Sequence, residues 1–168
     1  MKVSLANLLL LINQKESEVS ENYNNIMKNS AIIKDKELDG NETSLNKVED
    51  FKYLQEKYEA SAKDLELYKN KLAYINATEK ISLNMTIIEA INKVSILRKR
   101  LELYNSLSGK KPSLERRFDG NGGSAYYRVN DLNFNLDEIK RIKEDIKSKI
   151  SELEADIQNT NATTYVEI

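Results

Sequence analysis

Two stretches of this chain carry side chains whose types and spacing could do chemistry. In DKELDGNETSLN, Asp35, Glu37 and Asp39 sit at alternate positions, and Gly40 stands where a calcium-binding loop needs its sharp turn. The twelfth position of such a loop supplies a bidentate glutamate, and here it is Asn46. The stretch therefore reads as a polar connection, and the DGNGGS turn further on departs from the same template at more positions. The second stretch is cationic: between Arg98 and Arg117 seven basic residues face two acidic ones, Glu102 and Glu115. Phe118, Tyr126, Tyr127 and Arg128 follow across a glycine-rich turn. Arg116, Arg117 and Arg128 beside Tyr126 and Tyr127 form the pairing of cations and aromatic rings that single-stranded nucleic acid or a phosphorylated ligand would use. The plainer reading is that the arginines meet glutamates of a neighbouring helix or subunit while the tyrosines pack. The chain as a whole favours that reading, because it lacks a basic excess.

Other chemistry is excluded by composition. The chain has no histidine, cysteine or tryptophan. That removes thiolate nucleophiles, thiolate zinc sites, disulfides and the glutamate–histidine pairs of carboxylate-bridged metal bundles. Phosphate-cradling P-loops and nucleophile elbows are absent too. Carboxylates are plentiful, but they are interspersed with lysines, as in Glu56 with Lys57 or Lys143 with Glu144, which is the pattern of solvated helix faces. The expectation is a protein without catalytic residues, cofactor or metal.

Twenty-six basic and twenty-seven acidic side chains leave a net charge of −1, so there is no general pull toward nucleic acid or an anionic membrane. A length of 168 residues suits a single domain, 1–168. Lys2 and the run Leu8 to Ile12 could open a secretory signal. Asn7 and Asn13 bracket that run, however, and the apolar pattern continues past it, so it reads as an amphipathic helix. No stretch approaches the ~20 apolar residues that span a membrane. A soluble, cytoplasmic protein is expected.

Four helices must position these residues. The first, from about Ser4 to about Lys34, carries an aliphatic residue at every seventh position: Leu5, Ile12, Val19, Ile26 and Ile33. This is the period of a helix buried along one side. Leu9, Glu16, Tyr23 and Ser30 read as its complementary inward positions, only partly apolar, which leaves the distal half for more polar or intersubunit contacts. Gly40 marks the stop. The second helix starts near Thr43 or Ser44 and carries Val48, Phe51, Gln55, Tyr58, Ala62, Leu65, Leu72 and Ile75, making 4–75 an antiparallel helical hairpin. NATEKISLNMT reads as a loop with an extended piece near 81–85. Thr86 and Glu89 then form a capping box opening a third helix, 86–108, which carries Ile87, Ile91, Val94, Leu97, Leu101 and Tyr104. Residues 113–134 place glycines between two β-compatible runs and read as a β-hairpin or flap. Asn135 and Glu138 open a fourth helix, 135–160, with Leu136, Ile139, Ile142, Ile146, Ile150, Leu153 and Ile157.

KLAYINATEKISLNMTIIEAI and ELEADIQNTNATTYVEI together resemble a small bacterial family labelled septicolysin. The matching positions are Ile75, Asn76 and Thr78, then Thr86 and Glu89, then Ile157, Gln158 and Asn161. Glu79 and Ala162 depart from the family pattern, as does the connection between the first two helices. The resemblance implies a small helical protein of uncharacterised activity; the family label implies a cytolysin. Asn76, Thr78, Gln158 and Asn161 are thereby candidate ligand or interface residues, or, on a structural reading, caps at helix ends. The sequence as a whole reads as an all-α antiparallel bundle of four principal helices, long helical hairpin first, with a small β-hairpin between the third and fourth. Its function reads as that of a non-enzymatic interaction or scaffold protein forming a homo-oligomer through its amphipathic helices.

Overall fold

The computed structural model describes residues 1–118, 120 and 124–168 and is mostly helical, with four helices and three small antiparallel strand pairs. The elements run β1 (Lys2–Ser4), α1 (Leu5–Lys28), β2 (Lys34–Lys36), β3 (Glu42–Ser44), α2 (Phe51–Thr78), α3 (Ile87–Ser108), β4 (Ser113–Phe118), β5 (Ala125–Asn130), α4 (Leu136–Thr163) and β6 (Tyr165–Glu167). The backbone divides into two compact units, residues 1–79 with 158–168 and residues 80–157. The turn glycines expected between β4 and β5 include positions 122 and 123, which lie outside the described residues.

In the first unit α1 and α2 form an antiparallel hairpin. Glu16 meets Lys69 at 2.6 Å, and the Asn22 amide donates to the Ser61 hydroxyl at 3.0 Å. Ser4 caps α1 by accepting the Asn7 N–H at 3.2 Å. The seam is buried at Leu5 and Ile12, half-buried at Val19 and Ile26, and absent at Ile33, which is exposed beyond the helix end. The complementary row is Leu8, Lys15 and Asn22, three residues after each seam position, in place of the expected Leu9, Glu16, Tyr23 and Ser30. Glu16 and Tyr23 are exposed. Lys15 enters this row because its ammonium is held by Glu18 at 2.9 Å and Asp64 at 3.1 Å, which raise its pKa, the Glu18 hydrogen bond most.

The first helix is shorter than its apolar period suggests. Asn29 stops it by directing its backbone and side-chain N–H groups to the Asn25 carbonyl. DKELDGNETS is therefore a hairpin rather than a helix end with a loop: Asp35 pairs with Thr43, and Gly40 takes φ +93° in the turn. Lys34 and Lys36 both reach Glu42, at 3.1 and 3.5 Å. α2 starts at Phe51, capped by Asp50 through the Lys52 N–H, so Thr43, Ser44 and Val48 precede it. Its buried residues are Leu54 and Ser61, and Phe51 faces outward.

β1 and β6 pair antiparallel, with Val3 opposite Val166, and the Leu5 N–H donates to the Thr164 carbonyl at 2.8 Å. This pairing joins the two ends of the sequence and has no local signal.

In the second unit the buried residues are Ile81, Ile87, Ala90, Val94, Leu97, Ile139, Ile146, Ile150 and Leu153. The loop before α3 is a tight turn rather than an extended piece: the Ile81 N–H donates to the Met85 carbonyl at 2.9 Å, and Asn84 takes φ +59°. The capping box forms as expected, the Thr86 hydroxyl accepting the Glu89 N–H at 3.3 Å and the Glu89 carboxylate accepting the Thr86 N–H at 2.7 Å. That backbone bond is the main cause of the lowered Glu89 pKa. Asn135 caps α4, its side-chain oxygen accepting the Asp137 and Glu138 N–H groups at 2.9 and 3.2 Å.

Two outcomes test these contacts. Ser61→Ala strands the buried Asn22 amide and should cost about 1–3 kcal/mol in chemical denaturation. A carboxylate with a depressed folded pKa adds stability above its unfolded pKa and loses it as pH falls through the folded one. Glu89→Gln should therefore be less stable than the natural chain at about pH 7, with the gap closing as pH drops below the ordinary glutamate range.

Candidate functional site

The cationic and aromatic candidates converge on one ribbon. β4 and β5 pair with Glu115 opposite Arg128, Arg116 opposite Tyr127, Arg117 opposite Tyr126 and Leu114 opposite Val129. Opposite residues share a face and alternate residues change face. One face thus carries Glu115, Arg117, Tyr126 and Arg128, and the other carries Leu114, Arg116, Phe118, Tyr127 and Val129. All twelve strand residues are exposed. Each face holds a cation beside an aromatic ring, as ligand recognition would require.

Two of the arginines already have partners. Arg117 meets Glu115 of its own strand at 2.8 Å, and the Arg116 guanidinium lies 5.2 Å from the centre of the Phe118 ring. On α3, Arg98 meets Glu154 of α4 at 2.6 Å, the neighbouring-helix pairing that the plainer reading called for. Tyr126 and Tyr127 are 45% and 61% exposed, so within this chain they do not pack as that reading expected.

The amide and hydroxyl candidates Asn76, Thr78, Gln158 and Asn161 all lie in the first unit. Thr78 turns its hydroxyl back onto the Tyr74 carbonyl at 2.9 Å in the last turn of α2, and Thr163 does the same to Asn159 in the last turn of α4. Asn76 and Asn161 are half-buried, and Gln158 is exposed. The Asn161 side-chain oxygen is buried without a hydrogen-bond partner among the described residues. The Thr86 and Glu89 positions of the family resemblance are the capping box, so their spacing has a complete structural explanation.

Each unit also carries an open groove. The one in the second unit, about 420 Å³, has Ile91, Val94 and Ile157 as its floor and the Arg98–Glu154 pair at its rim. The one in the first unit, about 480 Å³, lies between α2 and β6 and is lined by Leu67, Tyr74, Ile75, Tyr165 and Val166. The Lys71 ammonium crosses it to the Glu167 carbonyl. Sequence reasoning missed this groove because one wall is β6, whose position depends on its pairing with β1.

The acidic residues of the connecting hairpin are dispersed. Asp39 accepts both N–H groups of Asn41, and no three acidic side chains gather to a metal-holding group among the described residues. No helix among them is long and apolar enough to cross a membrane. Comparison with protein-family models, curated proteins and solved structures finds no match.

The Arg98–Glu154 pair spans the α3–α4 groove on the surface, where ion pairs contribute little. Arg98→Ala should lower stability by less than about 1 kcal/mol. Leu97→Ala, one residue away but buried, should cost about 2–5 kcal/mol. Parallel urea titrations of the two variants check the contrast.

Proposed function

We propose that this chain is a non-enzymatic interaction or scaffold protein that self-associates through its long amphipathic helices, using the connecting end of the α1–α2 hairpin. One observation carries this reading. Tyr23, Met27, Ile32, Ile33, Leu38, Leu45, Phe51 and Tyr53 are each more than half exposed. Over residues 13–53 the one buried side chain is the polar Asn22. The Asn22–Ser61 pair marks where the antiparallel helices are still in contact, so residues 23–53 form the end beyond it. Large apolar side chains grouped at one end of a helical hairpin mark an interaction surface, and tyrosine, phenylalanine and methionine are the types enriched at interface centres.

The near-zero net charge supports association, because two copies approach without long-range repulsion. The proposal takes the protein as cytoplasmic and its four helices as one antiparallel bundle, the finer architecture that the sequence suggests. Kinship with the septicolysin-like family belongs to the same proposal, on Ile75, Asn76, Thr78, Ile157, Gln158 and Asn161.

A second reading, recognition of single-stranded nucleic acid or a phosphorylated ligand, draws on the ribbon. There the register sets Arg117 beside Tyr126 and Arg116 beside Tyr127. Its test is a salt titration: affinity for a single-stranded oligonucleotide should fall steeply with ionic strength. Absence of binding at low salt sinks it.

Sedimentation equilibrium tests the first reading. The expected mass exceeds that of one chain at micromolar concentration. Phe51→Ala and Tyr53→Ala should each weaken association by roughly tenfold, a loss of about 1.4 kcal/mol. A strict monomer at high micromolar concentration would overturn the proposal.

A further inference from the structure

We infer that the outer edge of β5 is a second self-association surface, on which two copies of this chain join their ribbons into a four-stranded antiparallel sheet. The inference rests on the reading of the chain as self-associating, but names a surface distinct from the helical one.

A two-stranded ribbon is marginal in water unless something covers it, and no strand residue of β4 or β5 is buried within this chain. Each strand pairs with the other on one side only. Unpaired strand edges are templates for further pairing, and proteins that must avoid this blunt them with lysine or proline. β4 is entered through Lys110, Lys111 and Pro112. No lysine or proline lies within β5 or beside it.

The sequence of β5 is self-complementary in a way that β4 is not. Two identical antiparallel strands related by a two-fold axis must place that axis normal to the sheet, so that side chains opposite each other share a face. In β4 the two centred registers set Glu115 or Arg116 against its own copy, like charge against like. In β5 an axis through Tyr127 sets Tyr127 against Tyr127, Tyr126 against Arg128, Ala125 against Val129 and Ser124 against Asn130. That register contains no like-charge pair. It stacks aromatic on aromatic at the axis, offers two tyrosine–arginine contacts, and aligns alanine and valine on the apolar face. The Arg128 guanidinium, across from Glu115 in its own ribbon, faces an aromatic ring in the partner. An edge of six residues is small for an interface, so the pairing is weak alone and gains from a second contact between the same chains.

Because the chain has no cysteine, disulfide trapping reads this register directly. Opposite residues bring their Cβ atoms to about 4.5–5.5 Å, close to disulfide reach, whereas diagonal neighbours stand about 7–8 Å apart. Tyr127→Cys, on the axis, should give a covalent dimer under mild oxidation at a yield roughly fivefold above that of Tyr126→Cys or Val129→Cys. A mixture of the Tyr126→Cys and Arg128→Cys chains should give more mixed dimer than either alone. The substitutions are on exposed positions, and unchanged helical circular dichroism verifies the fold.

Equal yields at all three positions, or none at residue 127, overturn the inference. So does a chain that shows no selectivity at 127 yet binds single-stranded RNA through this ribbon. The trapping is repeated in an Ile33→Asp, Phe51→Ala background. Selective trapping at 127 there, in a chain that sedimentation finds monomeric with or without those two changes, upholds the ribbon and removes the helical interface. A natural chain that is dimeric, with cysteine variants that trap without selectivity, does the reverse.

Discussion

The hydrogen bond from the Asn22 amide to the Ser61 hydroxyl is the point on which the first unit turns. Both residues are almost wholly buried, and the Ser61 hydroxyl donates in turn to the Tyr58 carbonyl at 2.9 Å. Desolvating two polar groups is tolerable only because each satisfies the other, and that requirement fixes how α1 slides against α2. A hydrophobic pair at these positions would accept neighbouring registers. A hydrogen-bonded pair accepts one, as a buried asparagine does in coiled coils. Everything between residues 23 and 53 is positioned by this register.

The strands are short of cover. Each sheet has two strands, and a pair of strands has two open faces and two open edges. β1 and β6 escape by setting Val166 among buried residues, 8% exposed. β2 and β3 rely on polarity, with Lys34 and Lys36 converging on Glu42. β4 and β5 use polarity on one face only, where Arg117 meets Glu115; on the other, Leu114, Phe118, Tyr127 and Val129 are all more than half exposed. An exposed apolar ribbon is costly to leave uncovered and prone to pairing.

How far the sequence could be read depended on the range of the forces involved. Thr86 with Glu89 and Asn135 at the start of α4 were legible because a cap is made by residues two or three apart. The aliphatic period placed Leu5 and Ile12 correctly, but it could not say that Asn29 ends the helix before Ile33 is reached. The inward row needed the partner helix: Lys15 and Asn22 turn inward because Asp64 and Ser61 stand opposite them. The Asp39–Gly40 pair is a strong hairpin signal, yet the flanking strands have no apolar alternation to support it, so the stretch reads from sequence as an ordinary polar connection. β1 with β6 depends on residues more than 160 positions apart, beyond any local pattern. The basic and aromatic candidates of the ribbon were legible as residue types, while the face each occupies required the register.

Electrostatics then constrain how such a protein can recognise a partner. Most of its ion pairs join exposed side chains, Lys147 with Glu144 and Lys149 with Asp145 among them, and exposed pairs contribute about 0–1 kcal/mol each. With a net charge of −1, the chain as a whole has no strong field to select a partner at a distance. Selection has to come at contact, from which residue meets which. Strand edges and helix seams are the two surfaces that read a partner residue by residue, through periods of two and of seven respectively. On the proposed reading the β5 edge and the connecting end of the α1–α2 hairpin are the surfaces left for a partner, and a second copy of the same sequence carries both.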